Sequence, residues 1–259
     1  IYPLLNLMCA VFFSLGGTLI KLVPWEAMSI SAGRAMIAAV MLLIYMRLRR
    51  HRIVLNKAVI IGGCAIGFSS ILYVVSNKLT TAANAILIQY TAPVFIIFYI
   101  WLMFKEKPKK IDIIATIVIS LGEICFFIDS LSVGGMLGNV LALIGGAIYA
   151  VVFMMKRFDG ADTVSSVFFG CILASLLGLP WVIQDPQITL TSVGGMILIG
   201  LFQFGLPYIC LAEGLVGTPP VAASLISMIE PVLNPILAAI FVHERLGTLS
   251  LIAAAIVII

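Results

Sequence analysis

The sequence predicts an all-α polytopic membrane protein: ten transmembrane helices arranged as two inverted five-helix repeats. Three observations predict it. Hydrophobic residues fill 63% of the 259 positions and charged residues 10%, with a mean hydropathy of +1.23, more apolar than any soluble core requires. The apolar residues gather into ten stretches, each near the roughly 20 residues that cross about 30 Å of hydrocarbon. Residues 91–108 (TAPVFIIFYIWLMFKEKP) also recur at 229–246 (IEPVLNPILAAIFVHERL). A constant offset of 138 aligns Pro93 with Pro231, Val94 with Val232 and Glu106 with Glu244. Only 8 of 37 positions match between 83–119 and 221–257, but proline and glutamate are the informative ones, because apolar helices rarely carry either.

The spans are expected near 4–23, 27–48, 58–77, 82–104, 111–129, 136–156, 163–183, 191–213, 219–241 and from 247 onward, to within a few residues at each end. The first is one of ten similar segments and so reads as a span, not a signal peptide. The chain starts at Ile1 without a Met and stops at Ile259 inside an apolar run, so the tenth span is expected to be cut short. The duplication divides the chain into repeats of 1–130 and 131–259.

Loop charges set the orientation. With the N-terminus inside, the inner loops hold Arg47, Arg49, Arg50, Arg52, Lys57, Lys105, Lys107, Lys109, Lys110, Lys156 and Arg157, and the outer loops hold Lys21, Lys78 and Arg245. Eleven against three is a positive-inside bias, so the chain is expected to be a multi-pass plasma-membrane protein with both termini cytoplasmic. Five spans per unit is an odd number, which inverts the second unit. The loop at Glu106 then lies inside with four lysines, and its counterpart at Glu244 lies outside with one arginine. The net charge of +4 therefore reflects topology and gives no reason to expect nucleic-acid binding. The five cysteines all fall in spans without metal-ligand spacing and read as small packing residues. Trp25, Trp101 and Trp181 fall near span ends, where interfacial anchoring is expected.

The run I-E-P-V, a long apolar helix and H-E-R-L (229–246) resembles the C-terminal half of EamA-type proteins of the drug/metabolite transporter superfamily. The first copy, A-P-V…K-E-K, resembles the matching part of their N-terminal half. Residues 4–21 (LLNLMCAVFFSLGGTLIK) and 137–157 (LGNVLALIGGAIYAVVFMMKR) resemble the opening helices of the two halves, so the resemblance covers essentially the whole chain. It implies the two repeats enclose a central cavity, and it implies export or exchange of small metabolites such as amino acids. Two positions depart from internal symmetry. Ala92 stands opposite Glu230, and Pro235 has no partner in the first copy.

Polar residues within spans nominate the substrate site. Tyr73 and Asn77 share one face of span three, and Gln89 and Tyr90 precede Pro93 in span four. Tyr149, Gln203, Tyr208, Glu230 and Asn234 complete the set. Rings with a few amides suit a small amphiphile, the rings covering its apolar part and the amides orienting its polar part; the alternative is one interhelical hydrogen bond apiece. Glu230, just before Pro231, either receives a cationic group or a coupling proton or braces a broken helix. Arg34 is expected to snorkel outward or to pair with a carboxylate such as Glu123, in preference to clamping substrate; Glu123 is given a structural or interfacial role. Glycines at Gly16–Gly17, Gly62–Gly63–Gly67, Gly145–Gly146 and Gly194–Gly195–Gly200 mark close helix packing. Pro93 and Pro231 are the candidate bending points.

The expected function is secondary active transport by alternating access, exporting or exchanging amino acids or related metabolites across the lipid bilayer. A small-cation or drug exporter remains an alternative through Glu230. A nucleotide-sugar carrier would call for several deep cations, where only Arg34 is deep. A polytopic enzyme is disfavoured: His51 and His243 fall in loops, and no catalytic cluster, metal site or cofactor motif lies at membrane depth. No phosphate-binding G-x-x-x-x-G-K-[ST] is present to power a pump.

Overall fold

The computed structural model describes residues 1–16, 19–20, 23–80, 82–127, 135–184 and 189–233. These residues are helical throughout their ordered elements, with no strand among them. In order they form α1 (Tyr2–Phe13), α2 (Ala27–Leu48), α3 (Lys57–Leu79), α4 (Ala82–Gln89), α5 (Ala92–Phe104), α6 (Lys110–Phe127), α7 (Met136–Met154) and α8 (Thr163–Gln184). Then come α9 (Leu190–Leu198), a π-helical segment (Ile199–Gly205), α10 (Leu206–Gly214) and α11 (Pro220–Ser227). Among the described residues six helical stretches are long and apolar enough to cross a membrane, and Tyr2–Phe13 and Pro220–Leu233 are shorter apolar helices. The expected tenth span, Asn234, Pro235, His243, Glu244 and Arg245 lie outside the described residues, as does Lys21.

Four expected spans are not plain helices. Span one turns at Ser14–Leu15, just after α1. Span four is interrupted at Tyr90–Thr91, between α4 and α5, and span nine turns at Met228. These breaks sit at equivalent positions of the duplication, each just before its proline (Pro93, Pro231). Proline lacks the N–H that would bond the carbonyl four residues back, so the ladder weakens there. The Thr91 hydroxyl caps the break by donating to the Ile88 carbonyl at 2.7 Å. Span eight winds as α9, the π segment and α10 without interruption, with Pro207 in the first turn of α10.

Apolar residues face both ways, as a bilayer solvent demands. On α2, Met36, Val40, Leu43 and Ile44 point outward, while Ile30, Arg34, Ala38, Leu42 and Met46 are buried. Trp101 and Trp181 are exposed on the outer surface near helix ends. Trp25 departs from the anchoring expectation: it is buried in an apolar cluster with Ile20, Val23 and Ile30.

Helices meet where side chains are smallest. α3 and α8 cross at Gly63, Gly67 and Gly170; a Cβ on Gly63 would stand 2.3 Å from Phe169, and one on Gly170 would stand 2.7 Å from the Gly63 carbonyl. A Cβ on Gly146 of α7 would come within 2.7 Å of the Gln89 carbonyl, so only glycine lets α7 press against the break in span four.

Among the described residues the main contacts between spans recur when the two halves are exchanged. α3 lies along α7 and α8, and span eight lies along α1 and α2. α4 and α5 pack on α7, and α11 packs on α1. α2 meets α8, and α5 meets α11.

The ends of the helices that carry the basic loops are tied together. His51 Nε2 and Asp162 Oδ1 lie 2.9 Å apart, and the Asn56 amide donates to the Gly160 carbonyl at 2.7 Å. The Val54 N–H donates to Ser165 Oγ at 3.0 Å, and Tyr45 donates to Glu213 at 2.7 Å. Arg157 pairs with Glu106 and stacks over Phe104 at 4.7 Å.

Candidate functional site

A cavity lies inside the bundle, lined by Phe13, Arg34, Ser70, Tyr73, Gln89, Tyr90, Tyr149, Gln203, Phe204, Tyr208 and Glu230. Both halves contribute: α1 to span four from the first, and α7, span eight and span nine from the second.

Seven of the nominated residues come together here: Tyr73, Gln89, Tyr90, Tyr149, Gln203, Tyr208 and Glu230. Asn77 does not. It is buried one turn beyond Tyr73, outside the lining, because α3 continues past the cavity toward its end at Leu79. Asn234 lies outside the described residues.

Each lining residue is positioned by a local feature of the chain. The break after Gln89 ends α4 inside the bundle, which brings Gln89 and Tyr90 to the cavity instead of to a helix flank. The π segment widens the turn, so Gln203 and Tyr208, five apart, line the same cavity. The rings of Phe204 and Tyr208 pack edge-on at 4.9 Å, and Phe13 meets Tyr208 edge-on at 5.2 Å. Tyr149 is steadied by Phe153 at 5.0 Å.

Two charged side chains share this apolar chamber. Glu230 is buried, and its Oε2 accepts a short hydrogen bond from the Tyr90 hydroxyl, 140 residues away in sequence. This contact joins the two broken spans. Arg34 is 1% exposed and does not snorkel. Its Nη1 donates to Gln203 Oε1 at 2.9 Å, and its Nη2 donates to the Ser70 carbonyl and to Ser70 Oγ, each at 2.8 Å. The Phe204 ring lies 4.7 Å from its guanidinium carbon and the Tyr73 ring 5.8 Å. Among the described residues its hydrogen-bond partners are neutral oxygens, and the side chain of Glu123, the carboxylate expected beside it, lies outside the described ones.

Sequence reasoning passed over Phe13, Ser70 and Phe204, and it gave Arg34 a structural role. Phe13 and Phe204 look like any other apolar residue of a span. Ser70 is nominated only by its distance from Arg34, which no spacing in the sequence reveals. The signal for Arg34 was available: a cation two turns inside a span with no acidic residue at i±3 or i±4.

A bundle of apolar helices duplicated end to end, with a polar chamber at the meeting of its halves, defines a multi-pass membrane transporter. Residues 1–128 and 136–259 each match the EamA-like transporter family, and the chain belongs to that family. The uncharacterized transporter YwfM of Bacillus subtilis (strain 168) is 26% identical over 271 residues, covering 100% of this chain and 92% of that protein. An uncharacterized transporter of Clostridium kluyveri is 30% identical over 182 residues, covering 64% of this chain and 58% of that protein. A protein known from a crystal structure shares the fold with a TM-score of 0.84 at 16% identity, over 99% of this chain and 94% of its own.

Proposed function

We propose that this transporter exports or exchanges small metabolites, foremost amino acids or related compounds, by alternating access, as a secondary carrier in the plasma membrane. The single observation that carries the reading is the chamber itself. It sits at the junction of the two halves, is ringed by tyrosine and phenylalanine, and holds one guanidinium and one carboxylate. A small amphiphile with charged groups at one end fits that lining better than an apolar drug or a polyanion. A nucleotide sugar would want several cations, and Arg34 is the only one among the lining residues.

The exchange-symmetric packing supports a rocking motion of units 1–130 and 131–259 about the chamber. The basic end is cross-linked by side chains from both halves, which favours a form closed on that side. With the basic loops cytoplasmic, as the charge bias favours, the closed side is the inner one. Counterflow in proteoliposomes tests this. Vesicles preloaded with an unlabelled amino acid should transiently accumulate the labelled one. Labelled solute that equilibrates without overshoot would mean a channel, and no uptake of any amino acid would overturn the substrate class.

A further inference from the structure

Arg34 is the largest fully buried side chain among the described residues, and it lines the chamber. A guanidinium has five N–H donors, and here three acceptor contacts serve them, all from neutral groups. Its Nε is buried without an acceptor. The ion pairs among the described residues, His51–Asp162 and Arg157–Glu106, both lie at the basic end, remote from it in the fold. Glu230, the carboxylate in the same chamber, is held by the Tyr90 hydroxyl. The chamber thus keeps a cation and an anion apart, each solvated by neutral polar groups, with tyrosine and phenylalanine rings in the same wall.

A brace would not need this arrangement. Holding a full positive charge at membrane depth is costly, and a glutamine or serine could join α2, α3 and the π segment with hydrogen bonds alone. A guanidinium repays that cost when an oxyanion meets its fork, because charge-assisted bonds are roughly twice as strong as neutral ones. We propose that Arg34 is a carboxylate-binding subsite, so that the transported metabolite carries a free carboxylate and is selected for it. The inference rests on the transport reading above and narrows its substrate class. Ser70 fixes Nη2, Phe204 covers one face of the guanidinium, and Gln203 holds Nη1 as a neutral acceptor that a substrate carboxylate outcompetes. An ammonium on the same substrate is directed to Glu230.

The test uses the full-length chain in proteoliposomes. Phenylalanine and leucine are compared with their amides, which keep the ammonium and side chain and lose the carboxylate charge. Each is scored by inhibition of counterflow and by thermal stabilisation. The free acids should win by about tenfold or more, the factor expected for a charge-assisted contact. Arg34→Lys should keep much of that preference, and Arg34→Gln should reduce it to near parity. Gln203→Glu is the second arm. It sets an internal carboxylate on Arg34 while preserving side-chain size, so it should also abolish the preference even if Arg34→Gln fails to fold. Equal action of acid and amide on the wild type would overturn the subsite while leaving transport intact. So would a folded Arg34→Gln or Gln203→Glu protein that still prefers the acid tenfold. Loss of acid and amide recognition in equal measure would make Arg34 a brace and overturn the subsite as well. Absence of counterflow with every compound would overturn the amino-acid reading of the substrate on which the subsite rests.

Discussion

At the scale of single residues, charge is kept where neutral partners can solvate it or where opposite charges can meet at the membrane edge. Glu230 depends on the Tyr90 hydroxyl, so Tyr90→Phe leaves a buried carboxylate without its donor. We expect that variant to lose on the order of 1–3 kcal/mol of stability, read by thermal unfolding in detergent. Glu230→Gln should be tolerated better and should cut substrate affinity, read by ligand-induced thermal shift. Asp162 is a different case, outside the spans. Partial burial pushes its carboxyl up, and the hydrogen bonds from Ser165 together with the contact to His51 outweigh that, so its pKa lies below the ordinary value. It caps α8 by accepting from the Ser165 N–H at 2.7 Å. A depressed folded-state pKa adds stability that is fully present above the ordinary carboxylate range and is lost as pH falls through the folded value. Asp162→Asn keeps the cap and loses the charge, so it should flatten the acid limb of a pH–stability curve and cost about 0–1 kcal/mol near neutrality. The sequence made Tyr73, Tyr149, Tyr208 and Glu230 legible as site residues, because polar or amphipathic groups are costly in a span and need a reason. The burial of Arg34 was not legible, since its partners Ser70 and Gln203 lie 36 and 169 residues away.

At the scale of elements, the site depends on imperfect helices. Spans four and nine break at Tyr90–Thr91 and Met228, and span eight carries a π segment through Gln203 and Phe204. Prolines made two of these irregularities legible in advance: Pro93 and Pro231 mark the breaks to within a few residues. The π segment, which packs against α2, was not legible, since Pro207 reads as an ordinary kink. If the breaks are where the spans bend, Pro93→Ala or Pro231→Ala restores the missing backbone donor and stiffens the helix. Transport rate should then fall more than ligand-induced thermal stabilisation, and equal loss of both would defeat the idea. Close packing makes a separate prediction. Gly63→Leu cannot fit, because even a Cβ there meets Phe169 at 2.3 Å. It should destabilise by about 1–3 kcal/mol or more, visible as poor recovery of monodisperse protein.

At the scale of the whole molecule, the exchange-symmetric packing ties the chamber to the basic end. If the halves rock, the contacts His51–Asp162, Val54–Ser165 and Tyr45–Glu213 must open and close with each cycle. Cysteines replacing His51 and Asp162, joined by a short thiol cross-linker, should stop counterflow, and reversal of the cross-link should restore it. Undiminished counterflow in the cross-linked protein would mean that this end does not open. By itself the sequence determined the membrane class, the all-helical character and the duplication. Those follow from transfer free energies and from proline and glutamate recurring at one offset, properties that each residue carries alone. Only the tertiary structure decided which polar residues share a chamber, that Asn77 stands outside it, and that Arg34 is held by Gln203 and Ser70. Those facts depend on which helices touch, and contact is set by glycines, proline breaks and the π segment acting across the two halves together.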